Sequence, residues 1–224
     1  MKVRGWLIAS AGVVLAMTLL GLLALTRLPD GALLPTHWNA AGEVDSHMPA
    51  RMAVAIMPAM TALIGLLFAI LPGIEPLQRQ LAQSAPVLKV AWAMVLVVLG
   101  MAHLMILAPA FGWHLAPTLL LVGVGIGLVA LGNVLPKSRP GYFVGIRTPW
   151  TLVSTDVWIA THRLGGRCFI TAGVVMVLAA LSPIPPHWRA GLTIGAIAFA
   201  AIVPIVWSWW LWRGLGKPPA RPPE

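Results

Sequence analysis

Residues 132–166 read GNVLPKSRPGYFVGIRTPWTLVSTDVWIATHRLGG. The stretch is basic, aromatic and rich in turn residues, whereas most of the chain around it is apolar with short connections. Lys137, Arg139, Arg147 and Arg163 lie within it and Arg167 sits at its edge, which together make five of the fifteen Lys and Arg residues. Long apolar runs flank it on both sides. A polar segment tied at both ends to lipid-soluble runs belongs at a membrane face, and the rest of the chain is read outward from it.

The composition supports that placement. Of 224 residues, 59% are hydrophobic and only 9% are charged, with mean hydropathy +0.88; this leaves too little polar surface to solvate a globule. The apolar runs are close to the length that crosses a hydrocarbon core of about 30 Å at about 1.5 Å per helical residue. Six spans are expected, at 6–27, 52–72, 88–108, 117–135, 167–183 and 190–212. The fold class is therefore an all-α polytopic membrane protein. Two modules are expected. Residues 1–87 hold two spans and the outer loop 28–51. Residues 88–224 hold four spans, the inner loop 132–166 and a tail, 213–224. The MKVR start could mark a secretory signal, but the apolar run from Trp6 to Leu25 is too long and no A-x-A site follows, so the first span is read as retained.

Proline punctuates the spans. Pro29, Pro72, Pro109, Pro136 and Pro183 mark exits, while Pro58 and Pro204 fall inside spans two and six. Gly123, Gly125 and Gly127 in span four, and the G-x-x-x-G of Gly191 and Gly195 in span six, suggest close helix contacts.

Lys and Arg set the orientation. With the N-terminus inside, twelve of them fall on inner segments and only Arg27, Arg51 and Arg189 fall outside, so both termini are placed in the cytoplasm. This also accounts for the formal charge of +9. The basic residues set topology and meet anionic lipid, and no basic-aromatic run is long enough for direct nucleic-acid binding. Cys168 is the only cysteine, which excludes an intrachain disulfide or a cysteine metal cluster. No Asp, Glu, Lys or Arg occupies the middle of a span. Intramembrane charges are costly and are kept where ions or protons move, so an ion-driven transporter is disfavoured. The lone His103 reads as a hydrogen-bonded packing residue rather than a relay.

In the outer loop, Pro29-Asp30-Gly31 and Asn39-Ala40-Ala41-Gly42 are turn signals. Asp30, Glu43 and Asp45 make this the acidic side. His37, His47, His114 and His187 share it, but without metal-ligand spacing; solvated or capping histidines are the simpler reading, and no metal or cofactor is assigned.

In the inner loop, Ser138-Arg139-Pro140-Gly141 reads as a turn and Tyr142–Ile146 as extended. Pro149 forces Thr148 away from helix. A short amphipathic helix follows, capped by Ser154 or Thr155, with Asp156 at its positive end and Gly165-Gly166 ending it. Trp158 and His162 are neighbours on it at i,i+4. The loop would then lie on the membrane as a lid, its tryptophans in the interface. Asp156 and His162 superficially offer a base near hydroxyls. The bland alternative, a helix cap and a histidine packed on Trp158, is favoured because no nucleophile elbow, metal motif or phosphate loop accompanies them. The protein is read as not an enzyme.

These two loops carry a family resemblance. LPTHWNAAGEVDSHMP resembles a small module often found ahead of SdpI-type immunity proteins, and the inner stretch resembles the SdpI family signature, above all G-I-R-T-P-W-T-L followed by V-W and T-H-R. Gly141 departs from the pattern, which usually has asparagine before the Tyr-Phe pair. The resemblance implies a bacterial cytoplasmic (inner) membrane protein that gives immunity to a secreted antimicrobial peptide and holds a cytosolic transcriptional repressor at the membrane. Carried onto this chain, the inner binding residues would be Asn133, Pro136, Tyr142, Gly145, Arg147, Thr148, Pro149, Trp150, Trp158, Thr161, His162, Arg163 and Gly166. The outer ones would be Pro35, His37, Asn39, Gly42 and Asp45. Two further hypotheses stand beside this one: an exporter or transporter of an amphiphilic small molecule or peptide, and a lipid-modifying enzyme using the lid.

Overall fold

The computed structural model describes residues 3–39 and 42–215. Most of the expected tail, with Lys217 and Arg221, and also Lys2 lie outside the described residues. Six helices are long and apolar enough to cross a bilayer. They are α1 (Arg4–Leu25), α2 (Ala50–Ile74), α3 (Gln78–Leu107), α4 (Thr118–Val134), α6 (Thr155–Leu181) and α7 (Pro186–Gly214), with a one-turn helix α5 (Pro149–Val153) on the inner side. Pro58 and Pro204 lie inside α2 and α7. Pro72 does as well, because α2 runs two residues past it. Side chains such as Ile8, Leu15, Leu63, Ile194 and Ile202 stay exposed along the outside of the bundle, as expected of helices whose solvent is lipid.

Helix α3 starts ten residues before the expected span. At about 1.5 Å per residue its 30 residues reach about 45 Å, well beyond a hydrocarbon core. Its first turns, QRQLAQSAP, are polar but rich in good helix formers. An apolarity criterion misses such a segment.

The helices form two groups. α1, α2 and α3 pack together, α6 lies between α4 and α7, and α3 against α4 joins the groups. The tightest seam is α4 on α6, and it is made of glycine. A Cβ on Gly132 would sit 2.5 Å from the Gly166 carbonyl, and one on Gly125 would sit 2.8 Å from the Gly173 carbonyl. The pairs are seven residues apart on both helices, so two antiparallel backbones touch at points about two turns apart along one stripe. This corrects two expectations. Gly165-Gly166 does not end a helix: the amphipathic segment from Thr155 is the first part of α6 itself, because contact with α4 outweighs the poor helix propensity of glycine. Gly191 and Gly195 meet nothing within 4 Å, so the G-x-x-x-G of α7 is not a helix contact. Gly123 and Gly127 accommodate the Met101 and Met94 side chains of α3.

The outer loop is a β-hairpin, which its turn signals alone did not disclose. β1 (Leu33–Trp38) pairs antiparallel with β2 (Val44–Pro49). The expected turn closes it: Asn39 N–H donates to the Glu43 carbonyl (2.9 Å), the Asn39 Oδ1 accepts from Glu43 N–H (3.0 Å), and Gly42 takes φ +87°. An irregularity between Pro35 and His37 leaves Thr36 outside the pairing. It also breaks the two-residue alternation by which strands are recognised. Leu34 anchors the hairpin in a cluster with Ala24, Ala53, Val54, Ile106 and Leu107, and β2 runs straight into α2.

The glycine seam has a direct test. Gly132→Val and Gly166→Val should each cost about 1–3 kcal/mol through overpacking, visible as a lower melting temperature of the detergent-solubilised protein. Gly191→Ala and Gly195→Ala should leave it unchanged.

Candidate functional site

Two sites are built at opposite ends of the bundle. On the inner side, residues 135–154 fold as an irregular segment against the helices. A loop in that position needs partners for its backbone N–H groups, and side chains from three of the spanning helices or their ends supply them. Ser84 of α3 accepts from Arg139 N–H at 2.9 Å. Glu75, at the end of α2, is buried; one carboxylate oxygen accepts from Tyr142 N–H (3.0 Å) and Phe143 N–H (3.1 Å), the other from Leu77 N–H (3.1 Å). His162 of α6 accepts from Ile146 N–H at Nε2 (2.8 Å).

His162 is held on both nitrogens. Nδ1 lies 2.7 Å from the Trp158 carbonyl, which can only accept, so Nδ1 carries the proton and Nε2 is the free acceptor. The ring stacks on Trp158 with centroids 4.2 Å apart. Gly145 passes over this pair at φ +122°, where a Cβ would meet His162 Nε2 at 2.5 Å and Trp158 Cζ2 at 2.7 Å. Glycine is required there twice, by conformation and by space. Trp158 is wholly buried. The expectation of its ring in the membrane interface is therefore corrected, while its packing on His162 is as expected.

The next turn is equally tied down. Thr148 is extended (φ −113°, ψ 161°), as its proline neighbour demands, and caps α5 through a reciprocal box with Thr151. Its hydroxyl also reaches Ser208 of α7 at 3.0 Å. Ser154, one of the two expected caps, accepts from Val157 N–H at 3.3 Å, with Asp156 in the first turn. Arg147 donates to the Tyr142 carbonyl (2.6 Å).

The structure thus gathers Gly145, Trp158 and His162 into one knot and ties Thr148 and Pro149 to α7. Thr161 is buried beside them, and the Pro136 ring abuts Gly166. Asn133, Tyr142, Arg147 and Arg163 remain exposed and Trp150 is half-buried. Glu75, Ser84 and Ser208 were not singled out from sequence. Glu75 did carry a signal: it is one of six acidic residues in the chain, and it stands alone in a connection on the basic face.

On the outer side, the hairpin roofs a cavity of about 450 Å3. Its wall is mostly apolar, with Met57 of α2, Ala102, Met105 and Ile106 of α3, and Leu120 and Leu121 of α4. Thr36, His37, Trp38, Asn39 and Gly42 form the roof, and Arg189, Thr193 and Ile194 of α7 close one side. Three of the five outer residues expected from sequence, His37, Asn39 and Gly42, line this space. Asp45 lies behind His37, which it holds at 2.6 Å, and Pro35 pairs with His47. Among the described residues no group of three or more His, Cys, Asp or Glu is placed to hold a metal ion.

Fold and sites together define a polytopic α-helical membrane protein with a roofed outer cavity and a pinned inner loop. Residues 137–208 match the SdpI/YfhL protein family, and residues 12–62 match a domain family of unknown function, DUF1648. The resemblance read from residues 132–166 holds. The immunity protein SdpI of Bacillus subtilis (strain 168) is 29% identical over 84 residues, which is 37% of this chain and 41% of that protein. The similarity thus spans about two fifths of the relative's length. No solved structure matches the chain.

Removing the Glu75 side chain should free the inner loop. Glu75→Ala leaves three backbone donors without their acceptor, at about 1–3 kcal/mol for a buried unsatisfied group. Amide exchange at residues 141–147 should accelerate at least tenfold, with the spanning segments of α4 and α6 unaffected.

Proposed function

We propose that the protein acts in a bacterial cytoplasmic membrane as an immunity protein, giving resistance to a secreted antimicrobial peptide that enters the outer cavity. The inner loop would hold a cytosolic transcriptional repressor when the cavity is filled. The observation that carries this reading is the course of α2. It begins where the hairpin ends, contributes Met57 to the cavity wall, and finishes at Glu75, whose carboxylate holds the loop. One helix joins a site for an external ligand to a surface for an internal partner.

The similarity to an immunity protein supports the same reading. In it, the protein binds and does not turn a substrate over. That reading is supported by His162, whose two ring nitrogens are both engaged with backbone groups. Exposed Arg147, Arg163 and Tyr142 remain available to a partner or to lipid headgroups.

Expression in a sensitive bacterium, followed by challenge with membrane-active peptides, tests the proposal. Wild type should protect, with the peptide remaining cell-associated; energy-dependent loss of peptide from the cells would instead indicate an exporter. Ala190→Trp, which fills the cavity beside α7, should lower the protective concentration about tenfold or more, as loss of a binding contact does, while the variant still reaches the membrane. Protection undiminished by the filled cavity would remove the cavity from the mechanism.

A further inference from the structure

The cavity is not uniformly apolar, and the guanidinium that lines it is unusually placed. Arg189 is fixed rather than free: Nε donates to the Ala179 carbonyl and Nη2 to the Ile184 carbonyl, each at 3.2 Å, at the end of α6. It is half-buried and lines the cavity. Among the described residues no carboxylate lies within ion-pair distance of it; Asp45 contacts His37 Nδ1 instead, at 2.6 Å. One helical turn further along α7, the Thr193 hydroxyl also lines the cavity and is buried with no hydrogen-bond partner. A fixed guanidinium and an unsatisfied hydroxyl on one helix face, beside an apolar wall, make a receptor for an anion attached to an apolar body.

We propose, resting on the reading above, that the cavity recognises the free carboxyl end of an apolar peptide, with the α-carboxylate on Arg189 and Thr193 and the last side chains against the α3 and α4 wall. A peptide is favoured over a lipid by the third wall. Thr36, His37 and Trp38 belong to β1, whose partner in the two-stranded sheet is β2 alone. Thr36 is left out of that pairing. A strand edge offers backbone donors and acceptors that an extended peptide can use and an acyl chain cannot. The N-terminal, positive end of α4 lies at this cavity, where Thr118 lines it, and favours the same negative charge.

The test uses the full chain in lipid nanodiscs and a fluorescently tagged synthetic peptide of leucine and alanine, made with either a free carboxyl or an amidated end. Wild type should bind the free acid about tenfold more tightly than the amide, the value of one charge-assisted contact. Arg189→Gln should erase that difference, with a native helical circular-dichroism spectrum showing the variant to be folded. Thr193→Val should reduce it. Equal binding of acid and amide by wild type would overturn the proposal and leave the peptide cavity standing. Binding of neither would overturn both. Displacement of the tagged peptide by palmitate at lower concentration than by its untagged free-acid form would overturn the peptide assignment in favour of a lipid.

Discussion

Backbone N–H groups in an irregular segment packed on a membrane bundle have no ladder of their own and limited access to water. Residues 139–151 meet that constraint chiefly with side chains from the surrounding elements: Ser84 for Arg139, Glu75 for Tyr142 and Phe143, and His162 for Ile146, while Thr151 within the loop serves Thr148. The outside acceptors sit at the end of α2, on α3 and on α6, so the loop cannot be laid down unless those elements are already in register. Conversely, it staples their inner ends. The acceptors differ in kind. Burying a carboxylate costs several kcal/mol, and three backbone donors to a charged acceptor, at about 1.5–3 kcal/mol each, offset it. The net contribution is small, but the penalty for losing one side is large, and a contact with that asymmetry specifies geometry more than it adds stability.

The same reasoning explains what could be read from the sequence. Span number, a helix cap at Ser154 or Thr155, the extended Thr148 and the stacking of His162 on Trp158 follow from local rules: apolar length, cap chemistry, the restriction before proline, and i,i+4 spacing. The hairpin turn at Asn39–Gly42 was also local. What was missed depends on distant partners. Ser84 meets Arg139 across 55 residues and Glu75 meets Tyr142 across 67, separations that no pattern in either segment announces. Gly165-Gly166 has the composition of a helix stop and fails to act as one, because the backbone of α4 fills the space a side chain would need. In the hairpin, the irregular register at Pro35–His37 hid strands whose alternation would otherwise show.

Glycine placement separates real helix seams from motif matches. Gly132 with Gly166 and Gly125 with Gly173 bring backbone against backbone. The spaced pair Gly191 and Gly195 faces nothing. In lipid, where apolar side chains gain little by leaving one apolar medium for another, association depends on close packing. A seam with reciprocal approach on both helices therefore marks contact better than spacing on one. It also makes α4 and α6 a closely packed pair, and the knot of Gly145, Trp158 and His162 is built on α6. The inner loop is thus held on one side by this pair and on the other by the end of α2.

That contrast decides which support can move. Pro58 leaves the Val54 carbonyl without its usual helical donor, and it lies inside α2 next to Met57, which lines the outer cavity. A helix bends most easily where the ladder is already interrupted. From Pro58 to Pro72, where the ladder is interrupted again, the rod is about 21 Å long at the helical rise, so a small change of angle beside the cavity becomes a larger displacement at the end that carries Glu75. The α4–α6 seam has no such interruption, since its glycines are in contact and α6 contains no proline. A load applied at the cavity therefore falls on the Glu75 contacts with Tyr142 and Phe143 before it reaches the His162 knot. Any opening of the loop begins at residues 141–143 rather than at 145–148.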